Sequence, residues 1–142
     1  MAGGSATATG LQGEFLTAAA LLEIGWSVSL AQQDSVDLVT WREGSDFFRV
    51  QVKSSRLRYE RHHRPCYQFQ NASGSKKKTM PSLKQFDILA HCAIDQRRGH
   101  FQAVCCVNQY TQRRPQGWFE TPDLEADSFE RAVEIIMETR NG

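Results

Sequence analysis

The chain predicts a mixed α/β or α+β domain around one central sheet, and three features carry that expectation. Apolar residues recur at helical spacing only towards the two ends of the chain, over residues 11–24 and 128–140. Short alternating runs of strand length fill the middle, and Gly- or Asp-containing turns separate them. Helix, three strands, a basic interruption, further strands and a closing helix together fit a sheet covered by helices. A length of 142 residues suits a single domain with a real core. That domain is expected over residues 11–142, behind a short flexible leader, 1–10.

The first helix is read from Leu11 to Ile24, with Leu11, Phe15, Ala18, Ala19 and Leu22 as its buried stripe. Thr9 or Ser5 is placed to cap its start, and Gly25 to end it. Glu14 falls on or beside that stripe, where an acid needs a reason. Strands follow at 26–30 (WSVSL), 36–41 (VDLVTW) and 47–54 (FFRVQVKS), the last two joined by the hairpin turn REGSD. In the third strand Phe48, Val50 and Val52 face one way, and Arg49, Gln51 and Lys53 the other. A basic segment (55–65) leads to a strand at 66–70 (CYQFQ), and a polar loop (71–82) carries three consecutive lysines. Strands at 86–94 and 100–108 are joined by DQRRG, and a loop containing RRPQGW precedes the closing helix. That helix is read from Ser128 to Arg140, with a capping box of Asp127 and Glu130 and a stripe of Phe129, Ala132, Val133 and Ile136.

Composition narrows the function classes. No apolar run reaches membrane-spanning length, and the N-terminus lacks the basic start and apolar stretch of a signal peptide, so a cytoplasmic protein is expected. Cys66, Cys92, Cys105 and Cys106 form no CxxC pair and are expected as reduced core thiols. A net charge of +1 hides a strong asymmetry. Arg49 to Arg114 holds fourteen Lys/Arg against three acids, whereas Glu120 to Glu138 holds seven acids and one arginine. A basic middle of this kind is the footprint of a phosphate-binding surface, with ordinary solvated loops as the plain alternative.

Four residues stand out as a set: Glu14 on the first helix, Asp37 on the second strand, and Gln51 with Lys53 on the third. A carboxylate inside an apolar strand is costly unless it is paired or holds a metal. If the hairpin forms, Asp37 and Lys53 meet at the strand ends away from the turn. Asp37, the Gln51 side-chain oxygen, the Val52 carbonyl and Glu14 are hard oxygen donors of the type that holds Mg²⁺ or Mn²⁺. An ammonium at Lys53 suits handling of an attacking water or of transition-state charge, which together describes metal-assisted phosphodiester hydrolysis. The alternative is a buried ion pair between Asp37 and Lys53 or an arginine, with Gln51 merely polar on a half-exposed face.

The GEF of the first helix (13–15), the strand aspartate, QVK (51–53) with the serine pair after it, and the later FDIL (86–89) resemble the PD-(D/E)XK nuclease superfamily. They look most like its branch of cyanobacterial group I intron homing endonucleases, over Gly10 to Val107. The resemblance implies a restriction-endonuclease-like αβββαβ core with a central mixed sheet flanked by helices. It implies Asp37, Gln51 and Lys53 as the catalytic core, with Glu14 as their helical partner. It further implies a Mg²⁺-dependent endodeoxyribonuclease, a hydrolase acting on double-stranded or branched DNA. Holliday junction resolvases share the helix glutamate but typically carry an acid where this chain has Gln51. No proline precedes Asp37, which changes little; Gln51 removes a negative charge from the metal site, as a degenerate, purely DNA-binding module would also show.

For DNA contact the expected residues are Arg56, Arg58, Arg61 and Arg64 in the basic segment, Lys76, Lys77 and Lys78 in the polar loop, and Arg97 and Arg98 at a hairpin tip. Arg113 and Arg114 are further arginines placed to reach a groove. Zinc at His62, His63 and Cys66 is disfavoured, because adjacent histidines diverge and no second ligand pair stands at finger spacing. A single small domain cuts one strand, so a homo-oligomer, a dimer or higher, is expected for double-strand cleavage.

Overall fold

The computed structural model describes residues 6–74 and 77–142, so Lys76 lies outside the described residues. Its elements are α1 (Ala6–Glu23), β1 (Ser27–Gln33), β2 (Val36–Trp41), β3 (Phe48–Ser55), β4 (Cys66–Gln70), β5 (Ile88–Ala93), β6 (Arg98–Ala103), β7 (Thr111–Pro115) and α2 (Leu124–Asn141). Five strands form a mixed sheet in the order β1-β2-β3-β5-β6, in which only β3 and β5 run parallel. Strands β4 and β7 form a separate antiparallel ribbon. The expected mixed sheet flanked by helices is therefore present, with one difference in element order. Among the described residues the crossover from β3 to β5 contains β4 and irregular chain rather than a helix, and the second helix closes the chain instead.

Strand alternation builds the main core. Leu38, Phe48, Val50, Ile88, Ala90, Phe101 and Ala103 meet Leu21 of α1 and Phe129, Ala132 and Ile136 of α2 on one face of the sheet. Trp26 wedges edge-on between Phe48 and Phe129, with ring centroids 5.9 and 4.9 Å away. Aromatic edge contacts of this kind add about 1 kcal/mol beyond the area buried. Strand β5, interior in the sheet between β3 and β6, is buried along its whole length, as a strand covered on both faces must be.

The first helix corrects the sequence reading. It starts at Ala6 rather than Leu11, and its buried positions are Gly13, Thr17 and Leu21. Leu11, Phe15 and Leu22, expected to be buried, are 50, 52 and 59% exposed. Gly13 fits this rotation: a Cβ there would run into Ser54 Oγ and lie 3.0 Å from Ser54 Cβ of β3, so a larger residue would force Ser54 or the helix to shift. The second helix starts at Leu124, with Asp123 left-handed (φ 57°) ahead of it, so Asp127 lies within the helix and the expected capping box does not form. All four cysteines are free, yet only Cys92 is buried; Cys105 and Cys106 are exposed rather than core thiols. No described helix is long and apolar enough to cross a membrane.

Asp87 locks the entrance to β5. Its carboxylate, 3% exposed, accepts from the Arg49 backbone N–H at 2.8 Å and from the Arg49 guanidinium at 3.2 Å, and Arg140 approaches to 3.3 Å. This ties β3, β5 and the C-terminal helix together below the polar strand face.

Candidate active site

Asp37 is the second residue of β2. The β2–β3 ladder runs from Thr40 opposite Phe48 to Leu38 opposite Val50. One position further on, the Asp37 carboxylate accepts the Val52 N–H at 2.8 Å, where a backbone carbonyl would otherwise continue the ladder. A part-buried N–H is thereby satisfied, and the side chain is fixed beside Gln51 and Lys53. Asp37 forms no ion pair with Lys53 or with any described arginine, so the buried-salt-bridge alternative is not what the fold contains.

Glu14 reaches the same point from α1. Its carboxyl is hydrogen-bonded to Asp37, and its pKa is pushed up to about 7 by burial, then by the Asp37 charge and that hydrogen bond. Near neutral pH Glu14 therefore retains a proton beside the Asp37 carboxylate. Lys53 is half-buried, and its ammonium pKa is lowered, chiefly by burial and further by Lys78, against the opposing pull of Asp37. Among the described residues neither the Gln51 amide nor the Lys53 ammonium has a hydrogen-bond partner. The four predicted residues thus come together at one end of β2 and β3, as two hydrogen-bonded carboxyls beside an uncommitted amide and an uncommitted amine.

The donor set suits a hard divalent cation. It comprises two carboxylates, an amide oxygen and the Val52 carbonyl, and a cation is what would release the proton that the carboxyl pair retains. No described cluster contains three or more His, Cys, Asp or Glu side chains, as expected when Gln51 takes the place of an acid.

Behind Lys53 lies a buried network that the sequence reading missed. Lys53, His91 and His100 are cross-strand neighbours on β3, β5 and β6. His91 is fully buried; its Nε2 is 2.7 Å from Asn71 Oδ1, and its Nδ1 accepts from Arg114 Nε at 3.0 Å. The ring stacks on Phe69 with centroids 4.1 Å apart and planes 3° apart. Burial, then Arg114, His100 and Lys53, hold the His91 pKa well below the ordinary histidine value, so the ring is neutral. A histidine in the otherwise apolar ILAHCA was the signal available for it.

The basic residues divide. Arg61, Arg64, Lys77, Lys78 and Arg97 are exposed. Arg56 donates to Gln12 Oε1 of α1 at 3.1 Å, and Glu60 lies 3.7 Å from Arg58 and 3.2 Å from Arg113. Arg98 serves the fold instead, since it pairs with Glu125 at 3.1 Å and donates to the Thr121 carbonyl, tying β6 to α2. Arg114 is buried rather than presented to a groove.

No protein-family model matches the chain, and no curated protein matches its sequence. Among solved structures, the bacterial homing endonuclease I-Ssp6803I is similar in fold: the two superpose with a TM-score of 0.68 over 97% of each chain, at 17% sequence identity.

Proposed function

We propose that this chain is a Mg²⁺- or Mn²⁺-dependent endonuclease that hydrolyses phosphodiester bonds in DNA, in the manner of homing endonucleases. The observation that carries this reading is the convergence of the Glu14–Asp37 carboxyl pair with Gln51 and Lys53 at one strand end. The likeness of fold to a homing endonuclease supports it. Asp37, Glu14, the Gln51 side chain and the Val52 carbonyl would hold the cation. When bound, it supplies Lewis-acid polarisation of the phosphate and a more acidic water. Lys53, with its lowered proton affinity, is suited to orient or deprotonate the attacking water and to offset charge developing on the phosphate. Glu14, which keeps its proton up to about pH 7 without a cation, would have to be ionised to serve as a ligand beside Asp37. The exposed arginines and lysines would grip the DNA backbone. Cutting both strands would call for two or more copies of the chain.

The test is cleavage of supercoiled plasmid, linear duplex and four-way junction DNA with Mg²⁺, Mn²⁺ or EDTA, beside the Asp37→Ala protein. Cutting that requires the metal and disappears in Asp37→Ala is the expected result, and a preference for junctions over duplex would favour a resolvase role. Gln51 favours one second reading, a DNA-binding module on a degenerate nuclease fold. That reading predicts salt-sensitive binding with no cutting under any metal.

A further inference from the structure

We propose that the β4–β7 ribbon is the base-reading element of this protein, and that Arg113, braced by Glu60, reads a guanine in the major groove of duplex DNA. The proposal rests on the DNA-directed reading above. Strand β7 was not visible in the sequence, and the candidate active site makes no use of the ribbon's outer face.

The ribbon has two unlike faces. Tyr67, Phe69 and Arg114 are buried against the rest of the protein, where Phe69 stacks on His91 and Tyr67 packs edge-on to Phe119. Alternation therefore sends Cys66, Gln68 and Gln70 of β4 outward, together with their cross-strand partners Pro115, Arg113 and Thr111. Two-stranded antiparallel ribbons fit the major groove, and arginine and glutamine are the side chains best matched to guanine and adenine edges. This outer face exposes Arg113, with Gln70 opposite Thr111 beside it, whereas Gln68, opposite Arg113, keeps its side-chain oxygen buried.

Arg113 is presented rather than packed away. It is exposed on the strand, and Glu60 Oε2 holds its Nη1 at 3.2 Å while the same carboxylate lies 3.7 Å from Arg58. A guanidinium steadied from one side keeps its remaining donors free for a bidentate contact, at lower entropic cost than a swinging side chain. Thr111 Oγ1 donates to Gln70 Oε1 at 3.0 Å, which leaves the Gln70 amide free to donate. A groove of about 390 Å³, lined by His63, Arg64, Cys66, Arg113 and Pro115 among others, opens at one end of the ribbon and adds positive charge on the side a phosphate backbone would follow.

The ribbon also adjoins the candidate active site. The Gln68 N–H donates to Ser55 Oγ at 3.1 Å, two residues beyond Lys53, and Phe69 rests on His91, the cross-strand neighbour of Lys53.

The test selects duplexes from a randomised pool in EDTA with the full chain, and compares wild type, Arg113→Lys and the Lys77→Ala/Lys78→Ala double variant. Wild type is expected to enrich a defined sequence containing guanine. Arg113→Lys keeps the charge and loses the fork, so it should lose about tenfold of the preference at one guanine and keep the rest of the pattern. The lysine variant should weaken binding to all sequences alike. Wild type offered 7-deazaguanine at the same position should show the same loss, which needs no mutant. Unchanged guanine enrichment in Arg113→Lys, indifference to 7-deazaguanine, or a wild type without sequence preference would overturn the proposal. Failure to bind any duplex would also overturn it, and failure to bind four-way junction DNA as well would remove the nuclease reading with it. Selective binding insensitive to Arg113, beside intact metal-dependent cutting, would remove this assignment alone.

Discussion

Glu14 concentrates the physical tension of the site in one side chain. Its carboxyl is partly buried on a helix, faces a second carboxyl, and keeps its proton up to about pH 7 against an ordinary 4.5. Between those two values the folded protein binds more protons than the unfolded chain, so stability falls as pH rises through that window. Metal-free protein should therefore become less stable from about pH 4.5 to 7 through this group. Glu14→Gln, which cannot ionise, should flatten that part of the profile; chemical denaturation at several pH values in EDTA reads it, and an unchanged slope would place Glu14 outside the pair. His91 acts in the opposite sense, because its folded pKa lies well below 6.5. The stability that depends on its neutral ring is present above pH 6.5 and is lost as pH falls below it. Asp87 plays a purely architectural role. Removing its carboxylate leaves the Arg49 N–H and two guanidinium groups short of an acceptor, so Asp87→Ala should cost about 3 kcal/mol in a denaturation midpoint experiment.

Elements set where those residues meet. Helix α1 brings Glu14 to Asp37 while Gly13, one residue earlier, lies against Ser54 of β3. Gly13→Ala should destabilise the fold by about 1–3 kcal/mol, despite the better helix propensity of alanine, and should push Glu14 off the site. Thermal denaturation and metal affinity check the two effects separately. The same helix shows what pattern alone can and cannot resolve. Leu11, Phe15 and Leu22 are the larger apolar side chains and define a stripe by periodicity, but close packing demanded the small residues Gly13 and Thr17 instead. Strands were legible where branched or aromatic residues alternate, as in 36–41 and 66–70, whose bounds the structure reproduces. Strand β7, TQRRP, was not, because its outward positions are polar and its inward Arg114 takes its partner from a buried histidine rather than from an apolar core. Asp37 was legible because it interrupts an apolar strand, Glu14 because an acid fell beside the expected helical stripe, and Gln51 with Lys53 because they share one face of the third strand. The His91 network behind them depends on contacts between β4, β5 and β7 that no local window contains.

At the scale of the molecule, the sheet order explains why one small domain can carry such a site. Pairing β2 with β3, and β3 with β5, puts the hairpin's polar end at the sheet's interior, where α1 reaches it from one face and the β4–β7 ribbon adjoins it from the other. The basic middle of the sequence then flanks the site in loops and ribbon, while the acidic tail forms α2 on the helical face. Electrostatic binding should follow from this layout. Replacing Lys77 and Lys78 with alanine should make the dependence of log affinity on log salt shallower by about 2, near 0.9 for each phosphate no longer neutralised. Fluorescence anisotropy on a fixed duplex across a salt series measures that slope. Whether the Glu14–Asp37–Gln51–Lys53 cluster hydrolyses DNA is decided by nicking of supercoiled plasmid in Mg²⁺ by wild type and Lys53→Ala, with DNA affinity measured on the same samples. Wild type should nick, Lys53→Ala should be slower by at least about a hundredfold, and the two should bind DNA almost equally. Equal nicking by the two proteins, or binding by both with no nicking by either, would contradict a catalytic role for the cluster.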